Sequence, residues 1–317
     1  MYKPTCPKCG SRKTVKYGHP RWRCKKWNCR RTFTLRRRDR RDRCAIDGYT
    51  KDRSTYQRLG ERWRVHRSTA YRRVQRALKR RRTLLERTRR NSALCDGVVI
   101  LDGKHLRIQG NLWTLFVAWD RGFKKPIHFV LRKGGEGEIP YWKLLIDLKH
   151  IGYVPKAFVS DGIMTLKEFL SDMYPYLPHQ RCTVHVFLAA RSKIVADKDK
   201  RTQERSVDFV ELLRLLLWSR TLREAKDRFN KLWRNQELNT KERNVLRFIW
   251  PALPECFVCR DRRFRHLKLP RSSNAIENVI GQVEARLKTR RGIKSDVAME
   301  LLVNELLLQV TEQTIHN

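Results

Sequence analysis

The stretch Val98-Val99-Ile100-Leu101-Asp102-Gly103 decides how the larger part of this chain is read. Four consecutive apolar residues, three of them β-branched, suit a short strand buried on both faces, and the carboxylate follows where such a strand ends. The pattern returns as Ala157-Phe158-Val159-Ser160-Asp161-Gly162. Between the two, 112–119 and 127–131 have strand composition, with turn signals at Gly110-Asn111 and Arg121-Gly122. Residues 139–151 place Tyr141, Leu144, Leu145 and Leu148 at helical spacing, and 164–173 form another helical segment. Three meandering strands, a helix, a strand and a helix are the order of a ribonuclease-H-like α/β fold. In that order the first and fourth strands lie side by side, so Asp102 and Asp161 are expected to meet although 59 positions separate them.

Further along, residues 190–265 lose the strand pattern and become charged and helical. Leu212, Leu213, Leu215, Leu216, Trp218, Leu222, Phe229, Leu232 and Trp233 are the expected core of an all-helical insertion. A last carboxylate, Glu277, follows Ser272-Ser273-Asn274, a good helix N-cap sequence, with Ile276, Ile280, Val283 and Leu287 as expected buried neighbours. The basic run Arg286-Leu287-Lys288-Thr289-Arg290-Arg291 comes next, and Lys288, Arg290 and Arg291 are expected on phosphates. The catalytic domain is thus expected over 97–317.

Ahead of it stand smaller modules. Residues 1–35 contain Cys6-x-x-Cys9 and then Cys24-x4-Cys29, two knuckles whose four thiolates make a tetrahedral zinc set, with Tyr17, Trp22 and Phe33 as apolar cover. Residues 36–49 read as a basic connector. Residues 50–80 read as a helix-turn-helix, with Ser54 as a plausible N-cap and the turn at 64–66. Its second helix would bury Ala70, Tyr71, Val74, Ala77 and Leu78, and would present Arg67, Thr69, Arg72, Arg73 and Arg76 to DNA. Residues 81–96 read as a basic linker.

Charge narrows the partner. The chain carries 72 Lys+Arg against 32 Asp+Glu, a formal net charge of +40 in 317 residues. Residues 1–96 alone hold 33 basic against 7 acidic side chains. Such a field attracts polyanions. No apolar run reaches the ~20 residues that span a bilayer. The N-terminus lacks a signal-peptide core, so a cytoplasmic protein is expected, with its nine cysteines reduced or on metal. A membrane role is excluded on this reading, and double-stranded DNA is the expected partner. Cys182-x-x-His185 and Cys256-x-x-Cys259 could together form a second zinc site clamping the insertion to the core.

The combination of Asp102-Gly103, Ser160-Asp161-Gly162, Cys182-x-x-His185 and Ser273-Asn274-x-x-Glu277, followed by Leu287-Lys288-x-Arg290-x-Gly292, resembles prokaryotic insertion-sequence transposases of the DDE class, in the Mutator-like branch. The resemblance covers essentially the whole chain. It implies cleavage at the terminal inverted repeats of a mobile element, strand transfer into target DNA, a homodimer or larger assembly, and a nucleoid-associated protein. Asp102, Asp161 and Glu277 would hold two Mg²⁺ or Mn²⁺ ions, Asp102 bridging both and the others binding one each. The rival readings are a transposase-derived DNA-binding regulator without catalysis, whose acidic triad should have decayed, and a junction resolvase or ribonuclease H, which would not need a sequence-reading module of this size.

Overall fold

The computed structural model describes residues 4–18, 21–34, 37–52, 54–108, 110–135, 138–195, 200–288, 293 and 295–313. The chain divides into two compact units, Met1–Arg81 and Arg82–Asn317.

In the first unit β1 (Thr14–Lys16), β2 (Arg21–Cys24) and β3 (Thr32–Thr34) form an antiparallel sheet in sequence order. Trp22 pairs across strands with Phe33, and both are half-buried. Tyr17 is half exposed beneath the Arg23 guanidinium instead of covering the ribbon. The stretch read as a connector forms helix α1 (Arg37–Thr50), because Ala45, Ile46 and Tyr49 recur at helical spacing and are buried. Tyr49 stacks on Tyr56 with ring centroids 4.6 Å apart. That contact packs α1 beside α2 (Tyr56–Arg62), and residues 63–66 lead on to α3 (Arg67–Lys79). Thr55, one residue after the expected Ser54, caps α2 by accepting from the Arg58 N–H. His66 caps α3 through its ring nitrogen.

The second unit is mixed α/β. The stretch read as a linker supplies α4 (Leu84–Arg90), whose start is closed by a Thr83/Glu86 capping box. Next come β4 (Val98–Ile108), β5 (Asn111–Asp120) and β6 (Lys125–Lys133), then α5 (Glu138–His150), β7 (Ala157–Ser160), α6 (Met164–Met173) and β8 (His179–Arg181). The sheet order is β6-β5-β4-β7-β8; β4, β5 and β6 are antiparallel neighbours, whereas β7 runs parallel to both β4 and β8. β4 continues six residues past Asp102, because β5 pairs along its whole length while β7 stops at Ser160.

Alternation along the strands sorts the side chains. Val99, Leu101, Phe116, Ala118 and Phe158 face α5 and α6, where they meet Tyr141, Leu144, Leu148, Leu166 and Leu170. Burying each of the larger of these stabilises the fold by ~1.5–3 kcal/mol. The opposite face is covered by α11 (Asn274–Lys288) against β4 and β5, while α12 (Asp296–Gln313) and α4 pack against β6. α12 lies beyond the helix expected to be the last; Asn304 on it ties down Leu84 N–H and the Arg82 carbonyl.

The helical part is built from α7 (Thr183–Val195), α8 (Lys200–Leu217), α9 (Leu222–Arg234) and α10 (Thr240–Ala252), followed by 3-10 turns at Pro254–Arg260 and Arg262–Leu267. It therefore starts earlier than residue 190. Leu213, Leu216 and Phe229 are in its core as expected, along with Leu217, Val245, Leu246 and Ile249. Leu212, Leu215, Trp218 and Trp233, expected inside with them, are exposed instead, because α8 turns Phe209, Leu213, Leu216 and Leu217 inward.

Candidate active site

β4 and β7 pair in parallel as Val98 with Ala157, Val99 with Phe158 and Ile100 with Val159. The same offset carried forward sets Asp102 opposite Asp161. Both stand in phase with Ile100 and Val159, on the face covered by α11, not the one packed by α5. Glu277 lies in the first turn of α11, one residue after the buried Ile276, and α11 packs on β4. The fold thus brings three carboxylates from three separate elements to one face of the sheet.

Their electrostatics show the proximity. Asp102 is 5% exposed. Its carboxyl is pushed up to about 7 by burial and by the charges of Asp161 and Glu277, with His185 and the Gly103 N–H pulling the other way. Oδ1 of Asp102 accepts from Gly103 N–H at 3.0 Å. Gly103 itself is needed there: a Cβ would stand 2.9 Å from the Tyr141 hydroxyl. Asp161 Oδ1 accepts from the Ile163 N–H at 3.3 Å.

Glu277 is held from behind. The Ser273 carbonyl accepts the Ile276 N–H (2.9 Å) and the Glu277 N–H (3.3 Å), opening α11. The Ser273 hydroxyl lies 3.3 Å from Glu277 Oε1, 3.4 Å from His185 Nδ1 and 3.5 Å from Cys182 Sγ. His185 Nε2 is 3.4 Å from Glu277 Oε1. The His185 imidazole is raised to about 9, first by its bond to Cys182, against burial, and then by the charges of Cys182, Asp102 and Glu277. Burial opposes ionisation of the Cys182 thiol, but the bonds from His185 and Ser273 prevail and lower it. The pair's mutual bond thus favours the ionised form of both the thiol and the imidazole.

With this geometry in place, the comparison with known families is informative. A family model described as Transposase, Mutator family matches residues 116–316. The chain belongs to the Mutator family of transposases. It is a transposase, a nucleic-acid-processing enzyme that binds DNA. The match spans Asp161, Cys182, His185 and Glu277, and begins after Asp102. No curated protein matches the chain.

The transposase has a second constellation in its first unit. Cys6, Cys9, Cys24 and Cys29 bring their sulfurs within 4.8 Å of one another, with Cys6 and Cys29 at 3.7 Å and Cys9 and Cys24 at 3.6 Å. This set could bind zinc. Burial opposes ionisation of Cys6, yet the N–H groups of Cys9 and Lys8 bring its thiol down to about 7, as a metal-ligating thiolate requires.

The other expected zinc ligands of the transposase are not gathered. Among the described residues no three of Cys182, His185, Cys256 and Cys259 bring their ligand atoms within 4.8 Å of one another. Cys182 and His185 bond each other and Ser273. Burial pushes the Cys256 thiol up to about 12, against thiolate formation. The backbone of this turn is engaged instead, Gln180 accepting the Cys259 N–H and donating to the Cys256 carbonyl.

On α3, Arg67, Arg72, Arg73 and Arg76 are exposed and Thr69 is half-buried, opposite the buried Ala70, Val74, Ala77 and Leu78; Tyr71 is only half-buried, edge-on to Tyr56. Lys288 pairs with Glu284, which also holds Lys104. Arg290 and Arg291 lie outside the described residues. In the sequence Ser273 stands out only as part of the helix lead-in and of the Ser273-Asn274-x-x-Glu277 motif, and Arg181 not at all; their contacts to Cys182, His185 and the Asp161 turn follow from what the fold brings beside them. No helix among the described residues is long and apolar enough to cross a membrane.

Proposed function

We propose that this transposase binds the terminal inverted repeats of its own element, cuts the DNA at the element ends and transfers the strands into target DNA, using a ribonuclease-H-like domain. Asp102, Asp161 and Glu277 are the proposed metal-binding and catalytic carboxylates. The observation that carries the reading is the shared register and shared face of Asp102 and Asp161 under the helix that bears Glu277. The sheet order β6-β5-β4-β7-β8, with its antiparallel and parallel halves, supports the domain assignment.

The donor set fits hard divalent cations. All three side chains offer oxygen. Asp102 is pushed up by burial and then by its acidic neighbours, a cost that positive charge at the site would relieve. Two Mg²⁺ or Mn²⁺ ions on such a set would favour the ionised form of an attacking water or 3′-hydroxyl and neutralise the leaving oxygen of an in-line displacement. The protein's own part is to hold the acids. Gly103 pins one oxygen of Asp102, Ile163 one of Asp161, and Ser273 with His185 one of Glu277. The His185 imidazolium also offsets part of the negative charge at the site.

The first unit supplies recognition on this reading. α2 and α3 act as a helix-turn-helix whose exposed Arg67, Arg72, Arg73 and Arg76, with Thr69, meet the major groove and its phosphates. Zinc on Cys6, Cys9, Cys24 and Cys29 holds the ribbon together. Lys288, Arg290 and Arg291 bind phosphates near the cut. A homodimer or larger assembly would bring two ends together.

The test is cleavage and joining of a labelled duplex carrying the ends of the element, in Mg²⁺, by wild type and Asp161→Asn. Nicks at the element boundary and joined products from wild type alone support the reading. Tight end binding with no cleavage by either protein, in Mg²⁺ or Mn²⁺, would sink it in favour of a non-catalytic DNA-binding protein.

A further inference from the structure

The turn that carries Asp161 is gripped from outside the proposed carboxylate set. Arg181, the last residue of β8, donates from Nε to the Asp161 carbonyl at 3.3 Å. Its side chain also lies over Gly162, which has φ +84°; a Cβ there would collide with the Arg181 side chain, Cγ standing at 2.7 Å. Side chain and turn are therefore fitted to each other, and glycine is required at 162 on both counts.

Arg181 is in turn held by Glu255. This residue belongs to the 3-10 turn Pro254–Arg260, where the helical part of the chain returns towards α11. Its carboxylate lies 3.5 Å from Arg181 Nη1 and also pairs with Lys167 on α6. The turn is fixed to the sheet edge just after that contact. Gln180, fully buried, donates to the Cys256 carbonyl at 2.9 Å and accepts the Cys259 N–H at 2.8 Å. A buried primary amide with both functions satisfied by one turn fixes its placement.

We propose that Glu255 and Arg181 are positioning residues for Asp161, through which the end of the helical region sets the aim of a metal-binding carboxylate. The inference rests on the assignment of Asp161 above. Neither residue need touch DNA or metal: Arg181 fixes the peptide that follows β7, and Glu255 fixes Arg181. Outer-shell partners of this kind change metal affinity 10–100-fold when removed.

The experiment is an Mg²⁺ titration of single-turnover cleavage of the same end duplex by wild type, Glu255→Gln and Arg181→Lys, with Asp161→Asn alongside. Melting temperature and end-duplex affinity are measured for each. Glu255→Gln keeps the shape and loses the charge that holds Arg181; Arg181→Lys keeps the charge and loses the Nε donor. Both are expected to raise the Mg²⁺ concentration for half-maximal rate about tenfold, with the rate at saturating Mg²⁺ largely restored and duplex affinity unchanged.

An unshifted midpoint in a variant that melts like wild type overturns the proposal. So does a weaker duplex affinity with a salt dependence reduced by about one charge, which would make Arg181 a phosphate contact. If both variants melt far below wild type, the contacts are structural and the proposal again falls. Full cleavage by Asp161→Asn would instead refute the assignment of Asp161 itself, a separable result.

Discussion

The molecule contains two candidate metal sites made in opposite ways. In the ribbon, four thiols drawn from 24 consecutive positions, Cys6 to Cys29, already lie within 4.8 Å of one another. In the α/β unit the acids come from β4, from the end of β7 and from α11, with 176 residues of chain between the first and third ligands counted as 102 to 277 inclusive. There the pre-organised element is the scaffold, while Asp102 is raised by its burial and then by the neighbouring carboxylates. A ribbon of three short strands has little core, and a metal there would substitute for it. The α/β unit has a large core and can hold uncompensated like charges. One candidate site is of the kind that an ion folds; the other lies in a unit with a core of its own.

The contrast breaks most sharply under chelation. Removing zinc, or Cys24→Ser, is expected to unfold the ribbon, since structural zinc contributes on the order of 10 kcal/mol to such modules. Metal analysis should give one zinc per chain beforehand, and the melting of residues 82–317 should not move. Removal of Mg²⁺ should leave both units folded. At the other site the loss is in chemistry: Asp102→Asn, Asp161→Asn and Glu277→Gln are each expected to slow cleavage at least about a thousandfold, with duplex affinity kept within about twofold.

A third test uses pH and predicts a gain. The Asp102 carboxyl is raised from its ordinary value to about 7 in the folded protein. Its contribution therefore favours the fold in acid, weakens as pH rises from the ordinary carboxyl range towards 7, and becomes a full penalty above it. Asp102→Asn should stabilise the Mg²⁺-free protein at pH 8 by on the order of 3 kcal/mol, and hardly at pH 4. Chemical denaturation at the two pH values checks this; an equal effect at both would mean that burying an ionised Asp102 beside its acidic neighbours is not what costs stability. The smallest expected effect sharpens the role of the first unit. Arg73→Ala should weaken end-duplex binding by about 1–3 kcal/mol and reduce its salt dependence by about one charge, without altering the Mg²⁺ dependence of cleavage.

The same contrast explains what could be read from the sequence. A thiolate site coded by local spacing is legible directly, and so are strands such as Val98–Leu101 whose burial is written in consecutive apolar residues. The pairing of Asp102 with Asp161 was legible only through the order of elements, because the relation lies in the topology. What stayed hidden is what topology brings together without a local mark. Arg181 against the Asp161 turn has no mark in either segment, and the motifs that hold Cys182, His185, Ser273 and Glu277 do not say that these side chains touch. The helix at 37–50 was obscured by its arginines: charge density masked the Ala45, Ile46 and Tyr49 stripe. On α8 the abundance of leucine hid which stripe faces inward, so Leu212 and Leu215 were placed inside together with Leu213 and Leu216, and only the latter two are.

The constant offset between β4 and β7 has a bearing on how such a chain can change over time. The 56 residues from 101 to 156 lie between the two paired stretches and include hairpin turns and a helix exit. Length changes in those turns leave the paired stretches in step, so the two acids keep their facing places. One residue added between Ile100 and Asp102 would do the reverse, turning that acid towards Tyr141 and the apolar layer under α5. Drift in length is thus tolerated almost everywhere between the acids and forbidden in the few positions beside them.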